Sequence, residues 1–202
     1  MGEEGLLLVI SGPSGAGKGT ICKEIMSKHP HISYSVSATT REPRKGEVDG
    51  VNYHFLSKER FEEMLQRGDF LEWAKVYDNY YGTPKEKVMK YLKEGEDIVL
   101  EIDIQGALQI KQDFPDGIFI FIVPPSLEEL KERIVNRGTD SEEVIKKRLS
   151  SVHEELGYVD KYDYVILNDD VENAAKKMES IILAEKCRPC RTKKLLGGDS
   201  YD

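Results

Sequence analysis

Cysteine is scarce in this chain: Cys22, Cys187 and Cys190 are the only three in 202 residues. An odd count in a chain of this length does not make a disulfide framework. Cys187-Arg-Pro-Cys190 has C-x2-C spacing, but a tetrahedral zinc site needs a second pair of ligands, and none stands nearby. The pair is read as tail sequence. His29, His31, His54 and His153 show no ligand spacing and are read as surface or packing residues. Long apolar runs are also missing, so no segment has the length needed to span a bilayer. The opening Met-Gly-Glu-Glu-Gly lacks the basic flank and long apolar stretch of a secretory signal. A cytoplasmic protein without a membrane partner is expected. Positive charge is in deficit, with Lys+Arg 29 against Asp+Glu 37 and a net charge of −8. Phosphate neutralisation dominates affinity for polynucleotides, so a nucleic acid polymer is not an expected partner. A small phosphorylated substrate needs only a local cluster of Arg and Lys.

With 39% hydrophobic residues, the chain suits one α/β domain with small inserted lobes. Leu6-Leu7-Leu8-Val9-Ile10 is a continuous apolar run of the kind that forms a strand buried on both faces of a parallel sheet. Residues 97–103, 117–123 and 164–167 repeat the pattern, with helical stretches between them. This alternation predicts a parallel sheet with crossover helices. Two regions break the rhythm. Residues 35–93 hold short tyrosine-rich strand signals, a helix near Ser57–Arg67, and another after Thr83-Pro84, with Thr83 as N-cap and Pro84 first in the helix. Residues 126–160 open on a capping box, Ser126-Leu127-Glu128-Glu129, and carry two charged helices joined near Gly138. The expected layout is a domain over 5–186, with a core of 5–34, 94–125 and 161–186. The acceptor lobe is 35–93, the lid 126–160, and the frayed tail 187–202.

Directly after the first apolar run comes Gly12-Pro13-Ser14-Gly15-Ala16-Gly17-Lys18-Gly19-Thr20. Its glycines let the backbone curl so that successive N–H groups face phosphate oxygens, and the next helix presents its positive end to the same anion. Lys18 can reach the β- and γ-phosphates of ATP. The usual pattern has Ser or Thr after the lysine; here Gly19 stands there and the hydroxyl follows at Thr20. An accompanying Mg2+ is therefore expected mainly on the ATP phosphates and water, with Asp103 as the candidate side chain. Glu101 and Asp103 close the strand at 97–103, two apart and so on one face, at the carboxyl edge where ligands bind in open α/β sheets.

The P-loop alone does not separate an ATPase, a GTPase and a small-molecule kinase. The next segment, Ser37-Ala38-Thr39-Thr40-Arg41-Glu42-Pro43-Arg44-Lys45-Gly46-Glu47, sets two arginines around a proline, and Arg suits bidentate phosphate recognition. Then come Gly50-Val51-Asn52-Tyr53-His54-Phe55, Phe70-Leu71-Glu72-Trp73-Ala74 and Asn79-Tyr80-Tyr81-Gly82-Thr83. Together with the P-loop, this order resembles the guanylate kinase family over residues 6–186. The resemblance implies that Arg41, Arg44, Tyr53 and Tyr81 grip the phosphate of GMP. It sets Ser37, Glu72 and Thr83 where guanine is recognised, with Asp103 toward the acceptor. A carboxylate suits guanine, whose ring N–H and exocyclic amine are two adjacent donors; adenine would turn a lone pair toward it. Taken alone, Glu72 would read as a solvated strand carboxylate, but its place between Phe70-Leu71 and Trp73-Ala74 argues against that. Tyr80 reads as core packing.

Arg133 and Arg137 lie four apart on one helix face, and Arg148 follows on the next helix. Charge on a helix is usually solvated, as Lys131 and Lys146 are read. The resemblance nevertheless assigns these three arginines to the transferring phosphoryl group, which cations must meet. It also puts Asn168 at the ATP site. The implied reaction is ATP + GMP → ADP + GDP, with dGMP as a further acceptor, in purine nucleotide metabolism. Two rivals were weighed: a non-catalytic module that binds phosphorylated peptides, and a kinase acting on a phosphorylated sugar. The intact Gly17-Lys18 and the lid arginines oppose the first, and Glu72 opposes the second.

Overall fold

A computed structural model describes residues 4–76, 78–136 and 142–192, with backbone alone at 136, 142–148 and 192. The apolar run at the N-terminus becomes β1 (Leu7–Ser11), the middle strand of a five-stranded parallel sheet. Its neighbours are β7 (Ile98–Glu101) and β8 (Ile118–Val123). Outside these lie β2 (Ser33–Tyr34) and β9 (Tyr164–Leu167), giving the order β2-β7-β1-β8-β9. Leu8 and Ile10 turn to one face, toward Ile21 and Ile25 of α1 (Lys18–Lys28) and Ala174, Met178 and Ile182 of α7 (Val171–Lys186). Leu7 and Val9 turn to the other, toward Val88 of α3 (Lys85–Lys93) and Ala107 and Ile110 of α4 (Ile104–Asp113). Apolar residues on both sides of every position explain the unbroken run.

A second, four-stranded sheet has the order β4-β3-β6-β5. Its strands are β3 (Ala38–Thr39), β4 (His54–Phe55), β5 (Phe70–Val76) and β6 (Asn79–Pro84). The helix α2 (Lys58–Gln66) covers it, capped by the Ser57 hydroxyl, which accepts from the Arg60 N–H. Phe61 stacks between Phe70 and Tyr80, so Tyr80 is indeed a packing residue. A register shift in β5 between Phe70 and Glu72 places three successive residues inside. Leu71 joins the core beneath the parallel sheet, and Glu72 stands opposite Thr83.

The expected start of α3 is one residue early. Thr83 is the penultimate residue of β6 and Pro84 is the N-cap, without a side-chain cap bond. The reason is the ladder: β6 stays paired with β5 through Pro84, opposite Phe70, so the helix begins only at Lys85. At α5 (Leu127–Asn136) half of the capping box forms, the Glu129 N–H donating to the Ser126 hydroxyl. The Glu129 carboxylate turns instead to Arg133, 3.1 Å away. The helix α6 is Glu142–Leu156; the junction at Gly138 lies outside the described residues. The tail does not fray at Cys187: a short helix α8 (Pro189–Thr192) follows. It is tied by Arg191, which donates to the Asp116 carbonyl and to buried Glu185. Cys22 is buried, and Cys187 and Cys190 are exposed. Among the described residues no helix is long and apolar enough to cross a membrane.

Candidate active site

The turn between β1 and α1 is the geometric centre of the site. Gly12 (φ 137°) and Gly17 (φ 92°) hold conformations that L side chains rarely adopt. A Cβ at Gly12 would meet the Ile122 carbonyl at 2.2 Å, and one at Gly17 would meet the Asn168 amide nitrogen at 2.2 Å. The loop is further braced by Asn168, whose Nδ2 donates to the Ala16 carbonyl at 2.7 Å. Asn168 thus reaches the P-loop from the end of β9, and it is buried there. The Ala16 N–H donates to the Pro13 carbonyl, closing the turn over Ser14 and Gly15. Gly15 lies against Leu130 and Ile134 of α5, which brings the lid helix onto the loop. Thr20 is exposed on the first turn of α1.

Lys18 folds back over the loop, its Nζ donating to the Gly12 and Pro13 carbonyls at 2.6 and 3.0 Å. Burial lowers its pKa, against the opposing pull of Glu101, Glu155 and Asp103. Among the described residues no carboxylate lies within ion-pair distance of this ammonium, so its charge is held without a direct counter-ion. Such a buried cation, held only by two carbonyls, is poised for a polyanion. Arg133 stands at the same place: its NH2 donates to the Asn168 carbonyl at 3.2 Å. Arg137 lies outside the described residues, as does the side chain of Arg148.

Of the four groups expected around the acceptor phosphate, Arg41, Tyr53 and Tyr81 are brought together, and Arg44 is tied to them through its backbone. The Arg41 guanidinium lies 5.5 Å from the centre of the Tyr53 ring, and the Tyr53 and Tyr81 rings are 6.0 Å apart. Burial pushes the Tyr53 phenol up to about 12, which keeps it a hydrogen-bond donor. Glu47, which the sequence reading passed over, holds this cluster. Its two oxygens accept from Arg41 at 2.9 Å each, and one also accepts from the Arg44 N–H at 2.7 Å. Partial burial works against ionisation of Glu47, but these bonds keep its carboxyl below the usual range. Both bonds come from one Arg41 nitrogen, NH2, so a carboxylate here engages the guanidinium that a phosphate would need.

Glu72 is 5% exposed, and the Thr83 hydroxyl donates to its Oε1 at 2.6 Å. Burial raises its pKa to about 7, the Thr83 bond works against that, and Asp103 adds repulsion. Asp103 caps α4, accepting from the Gly106 N–H at 2.9 Å, and it acts electrostatically on both Glu72 and Lys18. Ser37 lies just ahead of β3, at 9% exposure, and its carbonyl accepts from His54.

A second residue the sequence reading missed is Gly106. A Cβ there would lie 2.3 Å from Glu72 Oε2, a distance real side chains do not tolerate. The available signal was a glycine in the first turn of a helix, a position where Ala is better by roughly 1 kcal/mol. Gly106→Ala should therefore displace the Glu72 carboxylate while sparing the helix. The expected result is a rise in KM for the acceptor of about tenfold or more, with KM for the nucleotide donor within twofold. Steady-state kinetics with each substrate varied in turn would test it; an unchanged acceptor KM would show that Glu72 does not need that space.

The cleft between the P-loop and the Glu72–Thr83 pair thus combines a polyanion cradle with an arginine–tyrosine cluster and a buried carboxylate. Comparison with known proteins places the chain in one family. The family model for guanylate kinase matches residues 4–185. The chain is 63% identical over 193 residues to the guanylate kinase of Caldanaerobacter subterraneus subsp. tengcongensis, covering 96% of this chain and 94% of that one. It is 60% identical over 194 residues to the guanylate kinase of Clostridium perfringens, covering 96% and 90%. The crystal structure of guanylate kinase from Anaplasma phagocytophilum superposes with a TM-score of 0.82 at 32% identity, covering 98% of this chain and 97% of that one. This chain belongs to the guanylate kinase family.

Proposed function

We propose that this enzyme transfers the terminal phosphoryl group of ATP to GMP, yielding ADP and GDP, and accepts dGMP as well. The observation that carries the base assignment is Glu72, a carboxylate buried opposite Thr83 and turned to the site that Asp103 borders. An ionised Glu72 can accept from both the ring N–H and the exocyclic amine of guanine, with Ser37 and Thr83 as hydroxyl partners. Arg41, Arg44, Tyr53 and Tyr81 would take the GMP phosphate, displacing Glu47 from Arg41. The acceptor phosphate is largely dianionic at neutral pH, so its oxygen attacks the γ-phosphorus without a general base. The bond from the γ-phosphorus to the bridging oxygen breaks, and ADP leaves with that electron pair.

The chain's own contribution is positioning and charge neutralisation. Backbone N–H groups of Ser14–Gly19 would cradle the ATP phosphates while Lys18 leaves the carbonyls of Gly12 and Pro13 for the β- and γ-oxygens. Asn168 supports this subsite from behind, through Ala16. Arg133, Arg137 and Arg148 would meet the charge that develops on the transferring group. Bound Mg2+ would neutralise the donor phosphates, and the oxygen-rich side formed by Glu101 and Asp103 suits a hard cation. In this reading a 35–93 acceptor lobe and a 126–160 lid serve one core, and the enzyme acts in the cytoplasm.

An ADP-release assay with GMP, dGMP, AMP, UMP and no acceptor tests the reading. GMP should exceed AMP in kcat/KM by about 10³-fold or more, because AMP would leave Glu72 facing a lone pair. Equal turnover of AMP and GMP, or ADP release without any acceptor at the same rate, would overturn it.

A further inference from the structure

The strand that carries Glu72, β5, is the outer strand of the second sheet, so among the described residues no strand lies beside its far edge. Backbone groups on such an edge are ordinarily left to water. At Trp73 both are taken by one side chain instead. The Gln109 Nε2 donates to the Trp73 carbonyl at 2.8 Å, and the Trp73 N–H donates to the Gln109 Oε1 at 3.3 Å. A primary amide carries the same donor and acceptor as a peptide group, so Gln109 stands where a neighbouring strand would.

Gln109 lies on α4, and α4 meets β5 at three consecutive residues. Leu71 packs into the cluster that holds Ala107 and Ile110. Glu72 lies over Gly106, where a Cβ would come within 2.3 Å of its Oε2. Trp73 is clasped through its backbone by Gln109. Gly106 and Gln109 are three apart and so share one face of the helix. The glycine permits the close approach, and the glutamine one turn later holds it. Gln109 is itself exposed, so its amide does not serve to satisfy a buried group. Water could bond the Trp73 backbone equally well. What water cannot do is fix the distance between strand and helix.

We propose that Gln109 is a positioning residue for the acceptor base: by clasping β5 to α4 beside Glu72, it aligns the Glu72 carboxylate for two adjacent donors and so sets the preference for GMP over IMP. This rests on the reading of Glu72 as the residue that meets guanine. Hypoxanthine, the base of IMP, keeps the ring N–H and lacks the exocyclic amine. Two parallel bonds to one carboxylate require base and carboxylate to lie nearly in one plane, whereas a single bond tolerates a tilt. A Glu72 free to shift therefore keeps one bond to either base and loses the second, which only guanine offers.

The test is kcat/KM for GMP and for IMP, measured by ADP release at subsaturating acceptor on the full chain. Gln109→Met keeps length and volume and removes both bonds to Trp73. The GMP-to-IMP ratio should fall about fivefold or more. The loss should lie in a higher KM for GMP, with kcat at saturating GMP within about threefold and KM for ATP within about twofold of the parent. Gln112→Met changes an exposed residue of the same helix and should leave the ratio unchanged. Both variants should melt within a few degrees of the parent, since both positions are exposed. A GMP-to-IMP ratio within about twofold of the parent in Gln109→Met overturns the proposal. So does a loss shared equally by GMP, IMP and ATP, or matched by Gln112→Met, which would make the clasp a support of the fold alone. A parent that uses IMP as well as GMP would sink the guanine reading itself. A parent that prefers GMP, with that preference intact in Gln109→Met, sinks this inference alone.

Discussion

Lys18→Ala is expected to lower kcat with GMP by about 10³-fold while changing the melting temperature by no more than a few degrees. One preorganised cationic donor on a transferring group is worth on the order of 10² to 10³ in rate, and a lysine spanning two phosphates lies at the upper end. The fold has little to lose. Burial of the ammonium already lowers its pKa, so the charged form is disfavoured in the folded protein relative to water. The two carbonyls it leaves, those of Gly12 and Pro13, border the cleft and can turn to water. Because Lys18 is assigned to the donor side, KM for GMP should move by less than threefold. Activity within threefold of the parent would remove the P-loop lysine from the mechanism, and a large loss of stability would show that the loop depends on it structurally.

Glu72→Gln is expected to cost 10² to 10⁴-fold in kcat/KM for GMP. One hydrogen bond to guanine survives, but an amide donor then faces a guanine donor. A charge-assisted bond is worth about 1.5–3 kcal/mol and an unsatisfied buried donor about 1–3 more. The pH dependence makes the same point separately. With its carboxyl raised to about 7, Glu72 is partly protonated at neutral pH, and only the ionised form accepts two donors. KM for GMP in the parent should therefore rise as pH falls below about 7, approaching tenfold per pH unit, and the variant should lose that dependence. Stability runs the other way. A carboxyl whose folded value lies above its ordinary 4.5 favours folding at low pH, and that contribution is lost as pH rises through about 7. At pH 8 the buried charge costs on the order of 3 kcal/mol, so Glu72→Gln should melt higher than the parent at pH 8 and not at pH 4. Binding of ATP should scarcely change. If GMP turnover stays within a few-fold, Glu72 does not read guanine and a phosphorylated-sugar acceptor gains ground.

The stability cost of Glu72 and its expected role in binding have one origin. A solvated carboxylate would be cheaper to keep but would already have its lone pairs filled by water. Burial opposite Thr83, over the bare Cα of Gly106, keeps it out of water, so that a ligand with paired donors meets a desolvated carboxylate.

The parallel core was legible because its three central strands are buried on both faces, and a run such as Leu6–Ile10 has no other use in a chain this charged. The P-loop was legible for a similar reason: its backbone conformation demands glycines at set places, so chemistry and spacing coincide. In the second sheet the pattern was weaker. Two-residue strands such as β3 and β4 carry no periodicity, and the shift between Phe70 and Glu72 breaks the alternation that would have marked Glu72 as inward. Thr83 was assigned two tasks from sequence, helix cap and base contact. The structure leaves it on the strand, because the pairing with β5 runs on past Thr83 to Pro84 and the helix begins after it.

What the sequence by itself determined is therefore the set of groups held by local rules: the apolar strands, the glycine turn with its lysine, the Ser57 cap and the helices that follow. Only the tertiary structure decided which distant residues share a volume. Gly106 beneath Glu72, Asn168 behind Ala16, and Glu101 over Gly19 are each set by how elements far apart in the chain pack together. Those contacts join positions up to 152 residues apart in the chain. Local propensity is read from neighbours in sequence, whereas close approach depends on the register of parallel strands, which no short stretch of residues encodes.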